Sequence, residues 1–200
     1  HTLIDAELER IQPDVVVELG AGLSRRGLTF ALDAGVRYVE IDLPAMVAYK
    51  RQLLASRVPA ALQERLAGRL RMLDVDIFAP SFADALAREL RGAERPVIIA
   101  EGVVGYFEAD QRSVLLERVR RALPATGTFL ADLRVKEGQA AATRLLRLGI
   151  WVATRGRGAS ASFASDADVR DMLQRAGFSD VAQLPPHERD VLSGVWRARP

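Results

Sequence analysis

The chain has 200 residues, 49% of them hydrophobic and 27% charged, with a formal net charge of +2. Such a chain buries a full core in one domain, and without a basic stripe interleaved with aromatics it does not read as a nucleic-acid binder. Cysteine is absent, which removes disulfides, thiolate metal sites and cysteine nucleophiles and suits a reducing, cytoplasmic setting; no apolar run reaches the roughly 18 residues of a membrane span, and no stretch reads as a signal peptide.

Thr2–Ile11 carries Leu3, Ile4, Leu8 and Ile11 on one helical face, and Pro13-Asp14 ends it. Val15–Leu19 is a continuous apolar run broken only by Glu18, the mark of a strand covered on both faces. A tight turn, Gly20-Ala21-Gly22, leads into a helix over Arg26–Ala34 that stops at Gly35. Arg37–Asp42 is a second strand, and Pro44 opens the next helix at the first-turn position proline tolerates. Leu70–Leu73 is a third strand ending at Asp74, followed by a helix over Phe82–Leu90. Val97–Ala100 is a fourth, wholly apolar strand closed by Glu101-Gly102. An amphipathic helix over Asp110–Leu123 precedes a fifth strand, Thr128–Leu133. Strand and helix alternate, so the fold class is α/β, a Rossmann-like and mostly parallel sheet with helices on both faces, in a single domain over residues 1–200. The tail differs. After a helix over Asp166–Ala176, the runs Phe178–Leu184 and Val191–Ala198 are joined through Pro185-Pro186, too short a link for parallel strands, so an antiparallel hairpin is expected. The Gly/Ser-rich stretch Arg155–Ser162 is expected to be a mobile loop.

Ligands of open parallel sheets sit beyond the carboxyl ends of the strands, and four predicted strands here end in an acid: Glu18, Asp42, Asp74 and Glu101. The glycines follow G-x-G-x-x-x-x-G, with Arg25 where a dinucleotide fingerprint has its third glycine, and no G-x-x-x-x-G-K-[ST] cradle exists. The pattern points to a ligand with a ribose and no pyrophosphate, of which S-adenosylmethionine is the common one. Gly20 and Gly22 let the backbone approach it. Asp42 is read as the ribose ligand, with Glu40 two residues back as the alternate and a helix N-cap as the bland alternative for Asp42. Asp74 or Asp76 would take the adenine amine, unless either only caps the following helix. Glu101 would face the methionine moiety or the acceptor. Arg26 would pair with the ligand carboxylate or else lie solvated at the surface. Ala21, Leu43, Val75 and Gly102 flank these positions and complete the candidate set. Tyr106 is a weak catalytic candidate, with Phe107 beside it on the acceptor side or in the core. Trp151 and Trp196 are read as packing residues, and His1 and His187 as exposed. No metal cluster or Ser/His/Asp set can be assembled from two histidines.

Three ordered segments, VVELGAGLSRRGL, YVEIDLPAMVAYKRQLL and VIIAEGVVGYFEADQ, resemble the leucine carboxyl methyltransferase family, which includes tetracenomycin-type polyketide O-methyltransferases. Its patterns are E-L-G-A-G-x-D-T-R, E-x-D-x-P-x-x-x-x-x-K and A-E-G-x-x-x-Y, spanning Val15 to Asp110. The resemblance implies that Gly20 and Gly22 line the S-adenosylmethionine loop, Asp42 holds the ribose, Asp74 contacts the adenine, Glu101 lies beside the methionine portion and Arg26 is the family arginine. Ser24 and Arg25 stand where the family has aspartate and threonine. Only fourteen residues precede the first predicted strand, whereas the family carries a long N-terminal covering segment, so a domain without that lid is expected. The reading is an S-adenosylmethionine-dependent O-methyltransferase acting on a carboxylate or phenolic hydroxyl of a small-molecule acceptor. The alternatives are a non-catalytic S-adenosylmethionine-binding relative and a nicotinamide oxidoreductase, which Arg25 opposes. Acceptor recognition is expected in Lys136–Ala164.

Overall fold

The computed structural model describes residues 2–32, 36–133, 135, 163–185 and 194–200. Among them, helix α1 spans Thr2–Ile11, β1 Val15–Leu19, α2 Arg26–Leu32, β2 Arg37–Asp42, α3 Pro44–Arg57, α4 Ala60–Leu66 and β3 Leu70–Asp74. Next come α5 at Ser81–Leu90, β4 at Pro96–Ala100, a 3₁₀ turn at Val104–Tyr106, α6 at Ala109–Ala122, β5 at Thr128–Leu133, α7 at Asp166–Arg175, β6 at Asp180–Gln183 and β7 at Gly194–Arg199.

The strands form one sheet in the order β3-β2-β1-β4-β5-β7-β6. The first five are mutually parallel, and β7 runs antiparallel to both β5 and β6. The expected α/β class and terminal antiparallel pair are both present; the hairpin folds back so that its second strand lies inside the sheet. The strand order reverses between β1 and β4, which fixes where a crevice opens at the carboxyl edge.

Side chains alternate between the two faces. Val15, Val17, Leu19, Val39, Ile41 and Ile98 pack against Phe82, Leu86, Leu115, Val119 and Leu173 from α5, α6 and α7. Val16, Tyr38, Val97, Ile99 and Leu130 pack against Ile4, Leu8, Phe30 and Leu66 from α1, α2 and α4. The central strands β1 and β4 are buried at every position, which is why their sequences are near-continuous apolar runs.

The structure corrects several boundaries. Helix α4 was not anticipated: Val58 is extended ahead of Pro59, as a residue before proline prefers, so α3 stops there and the helix restarts beyond the proline. Strand β6 is shorter than Phe178–Leu184 because Gly177 and Phe178 still hydrogen-bond back to Gln174 and Leu173 of α7. The predicted ends of α2 at Ala34-Gly35, the start of the last strand at Val191, and the loop Arg155–Ser162 lie outside the described residues.

Candidate functional site

The glycine turn after β1 hangs over the carboxyl ends of β1 and β2. Gly20 takes φ +61°, and a Cβ there would fall 2.4 Å from Val103 Cγ2, so glycine serves both the left-handed backbone and the close approach of the segment after β4. The Gly20 amide donates to the Ile41 carbonyl at 2.8 Å. The Gly22 amide donates to Asp42 Oδ2 at 2.7 Å, and the Leu43 amide to Asp42 Oδ1 at 2.7 Å. Asp42 therefore holds the turn and the start of α3 together. An ionised carboxylate offers about four acceptor positions, so each oxygen keeps capacity for a further donor. Asp42 is half-buried and Leu43 exposed at the edge.

Arg26 is placed differently from its reading as a ligand-facing cation. It is 5% exposed. Its Nε lies 2.5 Å from Asp5, Nη1 donates to Glu18 at 2.7 Å, and Nη2 donates to Glu101 at 2.6 Å. Burial disfavours its charge, yet the carboxylates, Glu18 foremost, hold its pKa above the ordinary arginine value. Glu18 in turn accepts from the Tyr38 hydroxyl at 2.7 Å, and burial followed by that neighbouring charge pushes the phenol's pKa well up. Asp5, Tyr38 and the guanidinium belong to one network, buried at Arg26, Glu18 and Tyr38 and open to solvent at Asp5, that ties α1, β1, β2, α2 and the β4 end to one another. Asp5 carried no signal in the sequence, because only tertiary packing brings α1 over this edge.

Glu40 is likewise corrected. It does not share the edge with Asp42 as an alternate ribose ligand; it is 2% exposed, beneath α2 and α3. Lys50 Nζ lies 2.8 Å from Glu40 Oε2 and donates to the Ser24 carbonyl at 2.7 Å. Burial pushes the Glu40 carboxyl up to about 7 despite the pull of Lys50. The folded chain thus holds the Glu40 proton more tightly than the unfolded chain does. The stability this group contributes is full below its ordinary pKa of 4.5 and is lost as pH rises through about 7. Lys50 was missed as a site residue in the sequence; it is the lysine of the E-x-D-x-P-x-x-x-x-x-K pattern, and that spacing is the signal that could have found it.

The four strand-end acids do share one edge, with Glu18 opposite Glu40 and Asp42 opposite Asp74 in register. They do not converge on one cavity. A cleft of about 1050 Å³ is lined by Glu18, Gly20, Ala21, Arg26, Glu101 and Gly102, together with Asp5, Arg25 and Asp132. Gly22, Glu40 and Asp42 line a narrow recess on the other side of the glycine turn. Asp74 is exposed beside a groove between β3 and α3–α4, and Val75 packs on the core. Asp76 accepts from the Phe78 amide at 2.8 Å in a local turn and does not cap α5, whose N-cap is Pro80. Asp132, unremarked in the sequence, accepts from the Gly102 amide and fixes the turn after β4. Tyr106 is 59% exposed and does not line the cleft, so its catalytic candidacy finds no geometric support. Phe107 meets Phe78 edge-on at 4.7 Å, and Trp196 is buried, both as packing residues. His1, Trp151, His187 and Lys136–Ser162 lie outside the described residues. Among the described residues no group of His, Asp and Glu could hold a metal ion, and no helix is long and apolar enough to cross a membrane.

A parallel sheet with a glycine turn and an acid at the switch point defines a Rossmann-like nucleoside-binding class, and the comparisons narrow it. The leucine carboxyl methyltransferase family model matches residues 3–120, and the chain belongs to that family. A protein of Parafrankia sp. (strain EAN1pec), provisionally named as an S-adenosyl-L-methionine-dependent methyltransferase, is 34% identical over 116 residues, 58% of this chain and 36% of that protein. The chain thus matches just over a third of that relative's length. The structure of the S-adenosylmethionine-dependent methyltransferase SibL in its apo form superposes with a TM-score of 0.70 at 18% identity, covering 100% of this chain and 54% of that one. Human N-acetylserotonin methyltransferase in complex with SAM superposes with a TM-score of 0.65 at 16% identity, covering 94% of this chain and 48% of the other. At those identities the likeness concerns the fold.

Proposed function

We propose that this chain is the S-adenosylmethionine-binding domain of a methyltransferase that modifies a carboxylate or phenolic oxygen of a small-molecule acceptor. The observation that carries the reading is the Asp42 carboxylate, oriented by the Gly22 and Leu43 amides at the end of β2 with acceptor capacity left over. A ribose diol matches that capacity, and bonds to a charged acceptor are worth about 1.5–3 kcal/mol each. The donor set fits the rest of the ligand. The Glu101 and Asp132 carboxylates on the main cleft suit an ammonium, and the Gly20-Ala21 backbone admits a close approach. When bound, S-adenosylmethionine supplies a methyl group on a sulfonium, open to an oxygen nucleophile.

This chain's residues act by binding and by orientation. The Asp5–Arg26–Glu101 connection fixes the wall of the cleft before any ligand arrives. No side chain of the described residues is assigned as a general base; a carboxylate acceptor, already ionised at neutral pH, requires none. Calorimetry with S-adenosylmethionine, run beside an assay for S-adenosylhomocysteine released with a panel of carboxylates and phenols, tests the reading. Binding with turnover on one acceptor class is expected. No binding overturns the cofactor assignment; binding without turnover on any member of the panel overturns the enzymatic one.

A further inference from the structure

Two carboxylates on one face of β2 reach the glycine turn by different routes. Asp42 grips it directly through the Gly22 amide. Glu40 reaches it through Lys50, whose ammonium lies 2.8 Å from Glu40 Oε2 and 2.7 Å from the Ser24 carbonyl. Both members of this second route are buried, Lys50 being 6% exposed. Neither Glu40 oxygen makes a hydrogen bond of ordinary geometry among the described residues, so Oε2 meets Lys50 as an ion pair and Oε1 faces α2. A Cβ on Gly27 would fall 2.3 Å from that oxygen, so α2 closes directly over the carboxylate. The choice of lysine is itself informative. All but two of the 28 basic residues of the chain are arginine, the exceptions being Lys50 and Lys136. A compact ammonium with three rotatable donors fits between a carboxylate and a carbonyl where a planar guanidinium would not.

We propose that Lys50 is a positioning residue that clamps the Gly20–Ser24 turn in its ligand-ready shape, with Glu40 as the counter-charge that keeps the clamp closed. The proposal rests on the cofactor reading above and deepens it: the turn meets the cofactor, while Lys50 reaches the turn and Glu40. A buried ammonium is held in place by its carboxylate; when Glu40 takes a proton, Lys50 loses the ion pair it makes among the described residues and is driven toward water. The groups facing Glu40 are Glu18 from β1, Tyr38 and Asp42 from β2 and Lys50 from α3; the uncharged Gly27 and Met72 come from α2 and β3. Glu18 and Asp42 favour the protonated form and only Lys50 opposes it. The clamp therefore tightens as pH rises through about 7, opposite in sense to the group's effect on global stability, because ionisation strains the fold while securing the turn.

The test compares the wild type with the double variant Glu40→Gln/Lys50→Met. Removing both charges together leaves no unpaired buried ion, so the fold is retained, as circular dichroism will register. Amide exchange of Gly22–Arg25 is expected to be about tenfold faster in the variant, with the β1 and β4 amides unchanged. S-adenosylhomocysteine affinity measured from pH 6 to pH 8 is expected to rise with pH in the wild type and to be flat and about tenfold weaker at pH 8 in the variant. Unchanged exchange in the turn, or parallel affinity curves, overturns the clamp. If the wild type does not bind S-adenosylhomocysteine at all, the cofactor reading fails while the exchange measurement still decides the clamp. Should the variant not fold, wild-type turn exchange at pH 6 and pH 8, corrected for intrinsic rates, decides it instead: protection that grows with pH supports the clamp, and constant protection overturns it.

Discussion

The two faces of this sheet are built on opposite principles. On the face toward α5, α6 and α7 the strands contribute mainly apolar side chains, from Val15 and Val17 through Ile98 to Phe129, with Arg37 and Arg71 meeting Glu89 of α5 at one side. On the face toward α1, α2 and α3 the same strands contribute Glu18, Tyr38 and Glu40, buried and answered by Arg26 and Lys50. The first face obtains stability from area removed from water, which is tolerant of small rearrangements. The second obtains position. Charges taken out of water tolerate only the geometry that pairs them, and the pairing holds the glycine turn and the cleft wall in place. A buried ion network is poor evidence of stability for its own sake, and here it lies under the edge proposed to meet the cofactor.

Breaking the polar face should be the costlier operation. Arg26→Ala leaves Asp5, Glu18 and Glu101 facing one another without a counter-charge. A loss of about 3–5 kcal/mol is expected in urea unfolding; a loss below about 1 kcal/mol would mean the network is no more than a surface cluster. Leu86→Ala on the apolar face should cost about 2–5 kcal/mol through the cavity it opens. Its cost should be the same at pH 6 and pH 8, since Leu86 packs within the apolar cluster, and calorimetry should find ligand affinity untouched once the domain is folded. Asp42→Ala sharpens the distinction between stability and position. It is expected to weaken S-adenosylmethionine binding by at least about tenfold, or 1.4 kcal/mol; an unchanged dissociation constant removes the ribose assignment. Asp74→Ala is the mildest. Its side chain is exposed, so the unfolding free energy should move by less than about 0.5 kcal/mol, and affinity should fall only a few-fold if the adenine contact is made.

The apolar face was legible in advance because its information is periodic. A buried central strand such as Val97–Ala100 announces itself by composition, and the proline-linked tail could only be antiparallel. The glycine turn and Asp42 were legible because both are local: a left-handed backbone calls for glycine, and an acid closing a strand has few other reasons to be there. Arg26, Glu40 and Lys50 were each visible as residues, yet their roles were not. Read along the chain, Arg26 opens a helix beside a cleft and resembles a ligand cation; in space it is enclosed by Asp5, Glu18 and Glu101, two of which lie far from it in sequence. Glu40 shares the strand parity of Asp42 but sits one pleat deeper, under α2, where Gly27 leaves room for nothing larger than hydrogen.

The sequence alone determined the alternation of strand and helix, the parallel sheet with its antiparallel end, the glycine turn and the acid that meets it, because hydrophobic period, turn chemistry and strand-end residues act over a few positions. Tertiary structure alone decided which charges face one another and which stay at the carboxyl edge of the sheet. That choice depends on desolvation and on counter-charges brought together from α1, α2, α3 and β4, and no local pattern encodes how deeply a side chain will be buried.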